Sequence, residues 1–135
     1  VIYLDTAALM KLVRREEHSE DLVTWLNAAQ RNGLPRVASA LAEVELPRAV
    51  RRNAPEAIAR VPSVLASLYL VEIDATVRQT AAVYADPLPR SLNAVHLATA
   101  QVLSGQPGAE LMTFVTYDRR LAEAARSVGL EVWPE

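Results

Sequence analysis

The chain contains no cysteine, which excludes disulfides, thiolate metal sites and cysteine nucleophiles, and its two histidines leave little room for a zinc site. It has no long hydrophobic run either. The longest uncharged stretch, Ser91 to Ala109, is interrupted by Asn93, His96, Gln101, Gly105 and Pro107, too polar a sequence for a bilayer span. No charged-then-apolar leader stands at the front, so a cytoplasmic protein is expected. Repeats, linkers and low-complexity segments are missing. Lysine is nearly absent: of 14 basic residues, 13 are arginine and one is Lys11. Guanidinium groups suit bidentate contact with phosphate.

What remains is an ordinary globular balance, 51% hydrophobic and 22% charged over 135 residues, which implies one domain spanning residues 1–135. The net charge of −2 at first disfavours a nucleic-acid partner. If three of the 16 acids belong to a metal cluster, however, 16 − 3 = 13 acids face 14 basic residues elsewhere. The remaining surface is then close to neutral, and an RNA partner stays open.

Five short apolar segments read as strands: Ile2–Leu4, Arg36–Ala38, Leu70–Ile73, Thr113–Thr116 and Glu131–Trp133. Helical patterns lie between them at Ala7–Arg14, Ser19–Asn32, Leu41–Arg52, Pro55–Ser67, Ala75–Tyr84, Leu92–Leu103 and Arg119–Val128. Gly33 and Gly129 are expected to stop helices, and Pro87/Pro89 and Gly105–Gly108 to mark turns. Strands alternating with helices imply a three-layer α/β fold with a mainly parallel sheet of about five strands. In such sheets ligands sit beyond the carboxyl ends of the strands.

Asp5 and Asp118 stand at two of those ends. Each alone reads as a helix N-cap, but two acids at equivalent strand ends favour a shared site. Ser39 is a candidate N-cap that places Glu45 in the second helical turn. Glu43 and Glu45 point about 200° apart, so only one of them faces a given site. Glu45, Arg48 and Arg52 follow one helix face, which suits either a metal beside phosphate or a surface salt bridge. Asn93 and His96 lie three apart on a later helix. His96 reads more readily as a partly buried, hydrogen-bonded histidine than as a metal ligand. By its spacing Trp25 reads as core, and Trp133 is undecided.

At these residues the chain resembles the PIN-domain ribonucleases, and within them the VapC-type toxins of bacterial toxin–antitoxin pairs. Leu4-Asp5-Thr6-Ala7-Ala8-Leu9, Ser39-Ala40-Leu41-Ala42-Glu43-Val44-Glu45-Leu46, Ser91-Leu92-Asn93-Ala94-Val95-His96-Leu97-Ala98-Thr99-Ala100 and Thr116-Tyr117-Asp118-Arg119-Arg120-Leu121 are similar to four motifs of that family, in order. The resemblance implies a PIN-like fold and a Mg²⁺- or Mn²⁺-dependent endoribonuclease whose catalytic and metal-binding set is Asp5, Glu45, Asn93 and Asp118. It also implies a VapB-type antitoxin whose C-terminal segment covers the site, and a homodimer. In the family the position of Asn93 is normally aspartate. One acid of the implied site is therefore a neutral amide, and weakened activity is expected.

The chemistry explains the residue types. Phosphodiester hydrolysis needs a water made nucleophilic near neutral pH and an offset for charge on the phosphoryl oxygens, and carboxylate-held Mg²⁺ supplies both. Two carboxylates about 4 Å apart repel by roughly 4 kcal/mol at an effective dielectric of 20, so such a cluster requires a cation, protons or a partner's arginine. Arg48, Arg52, Arg90 and Arg119 are the candidate RNA contacts, with Arg51 and Arg120 nearby. Two other classes compete. A catalytically impaired PIN-like module would bind RNA or antitoxin without cleaving. A phosphoacceptor signalling domain shares the small parallel architecture, but it needs paired N-terminal acids and a late lysine, and this chain has one such acid and no lysine after Lys11.

Overall fold

A computed structural model describes residues 1–85 and 90–135 of the chain. The elements run β1 (Ile2–Leu4), α1 (Thr6–Val13), α2 (Ser19–Asn27), β2 (Arg36–Ser39), α3 (Ala42–Asn53), a 3-10 helix (Pro55–Arg60), α4 (Val61–Ala66), β3 (Tyr69–Val71), α5 (Ala75–Ala82), α6 (Ser91–Ser104), β4 (Thr113–Val115), α7 (Arg119–Ser127) and β5 (Glu131–Trp133). The sheet order is β3-β2-β1-β4-β5, and every pairing is parallel. Chain order reverses direction between β1 and β4. That reversal opens a crevice beyond their carboxyl ends, where open parallel sheets hold their ligands.

The pleat sends alternate residues to opposite faces. Ile2 and Leu4 join a core with Leu9, Val13, Leu22, Leu46 and Val50 from α1, α2 and α3. Tyr3 faces the other way and packs with Leu97 of α6, Phe114 of β4 and Leu121 of α7. These two cores make the three layers that the strand and helix alternation implies. No described helix is long and apolar enough to cross a membrane.

Several boundaries differ from the pattern reading. The helix expected over Ser19–Asn32 ends at Asn27, where Ala28 turns extended (ψ 146°); the freed Trp25 carbonyl accepts the Ala28 N–H at 3.4 Å and Arg31 Nε at 2.6 Å. Gly33 is therefore not a helix stop, whereas Gly129, at φ +88°, closes α7 as expected. The helix expected over Pro55–Ser67 divides between Arg60 and Val61, which places Pro62 in the first turn of α4, where its missing N–H costs no helical bond. The third strand ends at Val71 rather than Ile73, and Asp74 then caps α5 through the Val77 N–H at 2.9 Å. Pro87 and Pro89 lie outside the described residues.

Candidate active site

Asp5 directly follows β1 and caps α1, its Oδ1 accepting the Ala8 N–H at 2.9 Å. Asp118 caps α7 in the same way, with Oδ1 accepting the Leu121 N–H at 3.0 Å. Capping and a shared site are thus compatible: the cap uses one oxygen and fixes the rotamer, leaving the second oxygen for other partners. β1 and β4 are neighbours, and the Asp5 N–H reaches the Val115 carbonyl at 3.4 Å. The Thr116 hydroxyl accepts the Asp118 N–H at 3.1 Å and so shapes the turn between β4 and α7.

The two aspartates differ in environment. Asp5 is buried and Asp118 is exposed. Burial pushes the Asp5 carboxyl above its usual range, and the Asp118 charge adds to this. The Thr116 hydroxyl, the Ala8 N–H and His96 act in the opposite sense without cancelling it.

Glu45 enters from α3, the helix after β2, while Glu43 points into solvent. Its Oε1 receives the Thr6 hydroxyl at 2.6 Å and His96 Nε2 at 2.7 Å. Burial alone would raise the Glu45 carboxyl, but the hydrogen bonds from His96 and Thr6 outweigh it and hold the group below its usual value. Ser39 does not cap α3. It is buried, and its Oγ accepts the Leu41 N–H at 3.1 Å before the helix begins. Asn93, on α6, donates from Nδ2 to Asp118 Oδ2 at 3.4 Å.

The four predicted positions are therefore linked in space. Asn93 touches Asp118, Asp118 acts on Asp5, and Thr6 beside Asp5 holds Glu45. Among the described residues, no group of three or more His, Cys, Asp or Glu side chains could by itself hold a metal ion. The donor set fits a hydrated hard cation rather than a closed cage. It is made of oxygen, with Asp5 and Asp118 at the ends of neighbouring strands, and Mg²⁺ commonly uses one or two carboxylates while keeping its waters and taking phosphate oxygens. A buried carboxyl pushed up by burial and by a neighbouring acid is also a place where a cation relieves repulsion. His96 is no ligand, because both ring nitrogens already have partners.

Arg48, Arg52, Arg90 and Arg119 are all exposed. A cleft of about 240 Å³ opens beside Asp118, lined by Thr116, Tyr117, Arg119, Arg126 and Glu135 among others. Arg126 escaped the sequence reading, since nothing in its neighbours marks it. Thr6 and Thr116 were also missed as site residues, although both sit inside the acidic motifs. Trp133 is half-buried and stacks on Trp25 with centroids 4.5 Å apart, and Arg31 covers the Trp25 ring.

Comparison with known proteins fits this geometry. The pattern of the PIN domain matches residues 2–127. The chain belongs to the PIN-domain family. It is 52% identical over 132 residues to Ribonuclease VapC35 of Mycobacterium tuberculosis, covering 98% of this chain and 95% of that protein. It is 38% identical over 130 residues to Ribonuclease VapC47 of the same species (96% of this chain, 93% of the relative), and 39% identical over 131 residues to Ribonuclease VapC46 (97% and 95%). Within its family this PIN domain is thus of VapC type, and Asp5 and Asp118 follow the carboxyl ends of its neighbouring strands β1 and β4.

Proposed function

We propose that this PIN domain is a Mg²⁺- or Mn²⁺-dependent endoribonuclease toxin of a type II toxin–antitoxin pair, working slowly because Asn93 replaces an acid. The observation that carries the proposal is the pairing of buried Asp5 with Asp118 at the ends of adjacent strands, each held in one rotamer by its own helix cap. The ribonuclease names of its VapC relatives give the substrate class.

Asp5 and Asp118 would hold the cation, with Glu45 and Asn93 reaching it through water. A divalent ion held there supplies a nucleophilic water and offsets charge on the phosphoryl oxygens. The chain's own contribution is positional. The caps fix the two aspartates, and the N-termini of α1 and α7 bring their positive dipole ends to the cleft where an anionic phosphate would sit. Glu45 takes both its donors on Oε1, which leaves Oε2 to orient a water. Arg48, Arg52, Arg90 and Arg119 would bind flanking phosphates. A VapB-type antitoxin would cover the site, its arginine neutralising the acids, and the toxin would act as a homodimer.

One observation favours a second reading, a PIN module that binds RNA or antitoxin without cutting. The Asn93 amide donates to Asp118 Oδ2, an oxygen that a cation needs. Incubating purified protein with RNA in Mn²⁺, in Mg²⁺ and in EDTA, beside an Asp118→Asn control, separates the two. Metal-dependent cutting absent from the control supports the nuclease; RNA binding without cutting supports the module.

A further inference from the structure

Below the acid cleft lies a polar chain that the proposed chemistry does not use. The Ser39 N–H donates to the Tyr3 hydroxyl at 3.2 Å, the Tyr3 oxygen stands 2.7 Å from His96 Nδ1, and His96 Nε2 stands 2.7 Å from Glu45 Oε1. Tyr3 is fully buried and His96 is 2% exposed. Phe114 stacks on the Tyr3 ring at 5.1 Å and 3°, which fixes the hydroxyl.

The proton positions follow from the partners. An ionised Glu45 only accepts, so Nε2 must carry hydrogen. The Thr6 hydroxyl has one proton and directs it to Glu45 at 2.6 Å, so it cannot also serve the ring. The Tyr3 oxygen accepts from Ser39 and keeps both an O–H and a second lone pair, so it can partner Nδ1 with or without a hydrogen on that nitrogen. The chain thus runs from β2 through β1 and α6 and ends in a donor on the carboxylate of α3.

We infer that His96 is a positioning residue for Glu45: the Ser39–Tyr3–His96 chain pins Oε1 from below and so presents Oε2 to the cleft. The inference rests on the reading of that cleft as a metal site. A satisfied buried histidine could serve packing alone, but packing does not require a donor aimed at Glu45 Oε1. Nor does it require that donor to share Oε1 with Thr6, the neighbour of Asp5. His96 is also three residues from Asn93 on α6, so the same anchor sets the rotation of the helix that carries the fourth corner. Partners that orient the groups around a metal typically change affinity by roughly 10–100-fold when removed.

The test has a metal-free arm and a metal arm. Long-range ¹⁵N–¹H correlation on the metal-free protein reads the His96 tautomer; the inference requires hydrogen on Nε2, and a ring protonated only at Nδ1 overturns it. Mn²⁺ affinity, followed by electron paramagnetic resonance and with thermal melting alongside, is then compared in the parent, His96→Leu, His96→Gln and Tyr3→Phe. His96→Leu should bind Mn²⁺ about tenfold more weakly. His96→Gln, which keeps a donor near the Nε2 position, should recover most of the loss. Unchanged Mn²⁺ affinity in His96→Leu with only a lower melting temperature means a packing role and overturns the inference alone. If His96→Leu does not fold, Tyr3→Phe and His96→Gln decide: Tyr3→Phe must weaken binding more than His96→Gln, and equal affinities overturn it. Failure of both the parent and Asn93→Asp to bind Mn²⁺ overturns the metal reading and this inference with it.

Discussion

The amide of Asn93 donates to Asp118 Oδ2 across 3.4 Å and joins α6 to the N-terminus of α7. An aspartate in its place would set two carboxylates against each other at that distance, tolerable only with a cation between them. Asn93 thus makes an attractive contact where two carboxylates would repel, which favours the metal-free protein.

Asp5→Asn should stabilise the metal-free protein near neutral pH. Asparagine keeps the N-cap to Ala8 and removes a charge that burial and Asp118 disfavour. The sign follows from linkage: a carboxyl whose folded value is raised favours the native state while protonated, and that advantage is lost as pH rises through the raised value. The gain should therefore be small at acid pH and grow towards neutrality, to about 2–5 °C in melting temperature, as on the order of 1 kcal/mol gives in a domain of this size. Differential scanning fluorimetry in EDTA across pH checks it.

Glu45→Gln should behave in the opposite sense. The folded value of Glu45 is lowered, so its contribution is present above the ordinary glutamate range and is lost as pH falls through the folded value. The variant should melt below the parent at pH 7, and the gap should close in acid. A gap that widens in acid would mean that His96 and Thr6 do not stabilise the charge. Two carboxylates of one cleft with opposite pH signatures would be hard to obtain from a general surface effect.

The glycines offer a contrast in backbone alone. Gly129 has φ +88° with open space where an alanine methyl would stand, so Gly129→Ala should cost about 1 kcal/mol through conformation only. Gly33 has equal space and no left-handed backbone, so Gly33→Ala should be neutral or slightly stabilising by restricting the unfolded chain. Urea melts of the two variants should separate them by roughly that amount.

The layers and the parallel sheet of five strands were legible because short apolar runs alternate with helical periods, whereas the strand order was not; the acids follow the ends of β1 and β4. Interactions reaching across the chain were not. Nothing local in Arg31 announces that it will reach the Trp25 carbonyl at the end of α2, and nothing in Tyr3 shows that its hydroxyl will meet a histidine 93 residues later. His96 was readable as a buried, hydrogen-bonded histidine, but which groups it would join depends on how β1, α3 and α6 pack. Thr6 and Thr116 were hidden by the acids beside them, although a hydroxyl next to a buried carboxylate is where a donor is most needed.

The most direct test compares Mn²⁺ titration and RNA cleavage for the parent and Asn93→Asp in parallel, with melting in EDTA as a folding control. Asn93→Asp should melt lower without metal, bind Mn²⁺ more tightly and cleave faster by about 10²-fold, as expected if the added carboxylate orients the nucleophile. Equal Mn²⁺ affinity and equal cleavage in the two proteins would contradict the account, because the fourth corner of the cleft would then carry no chemistry.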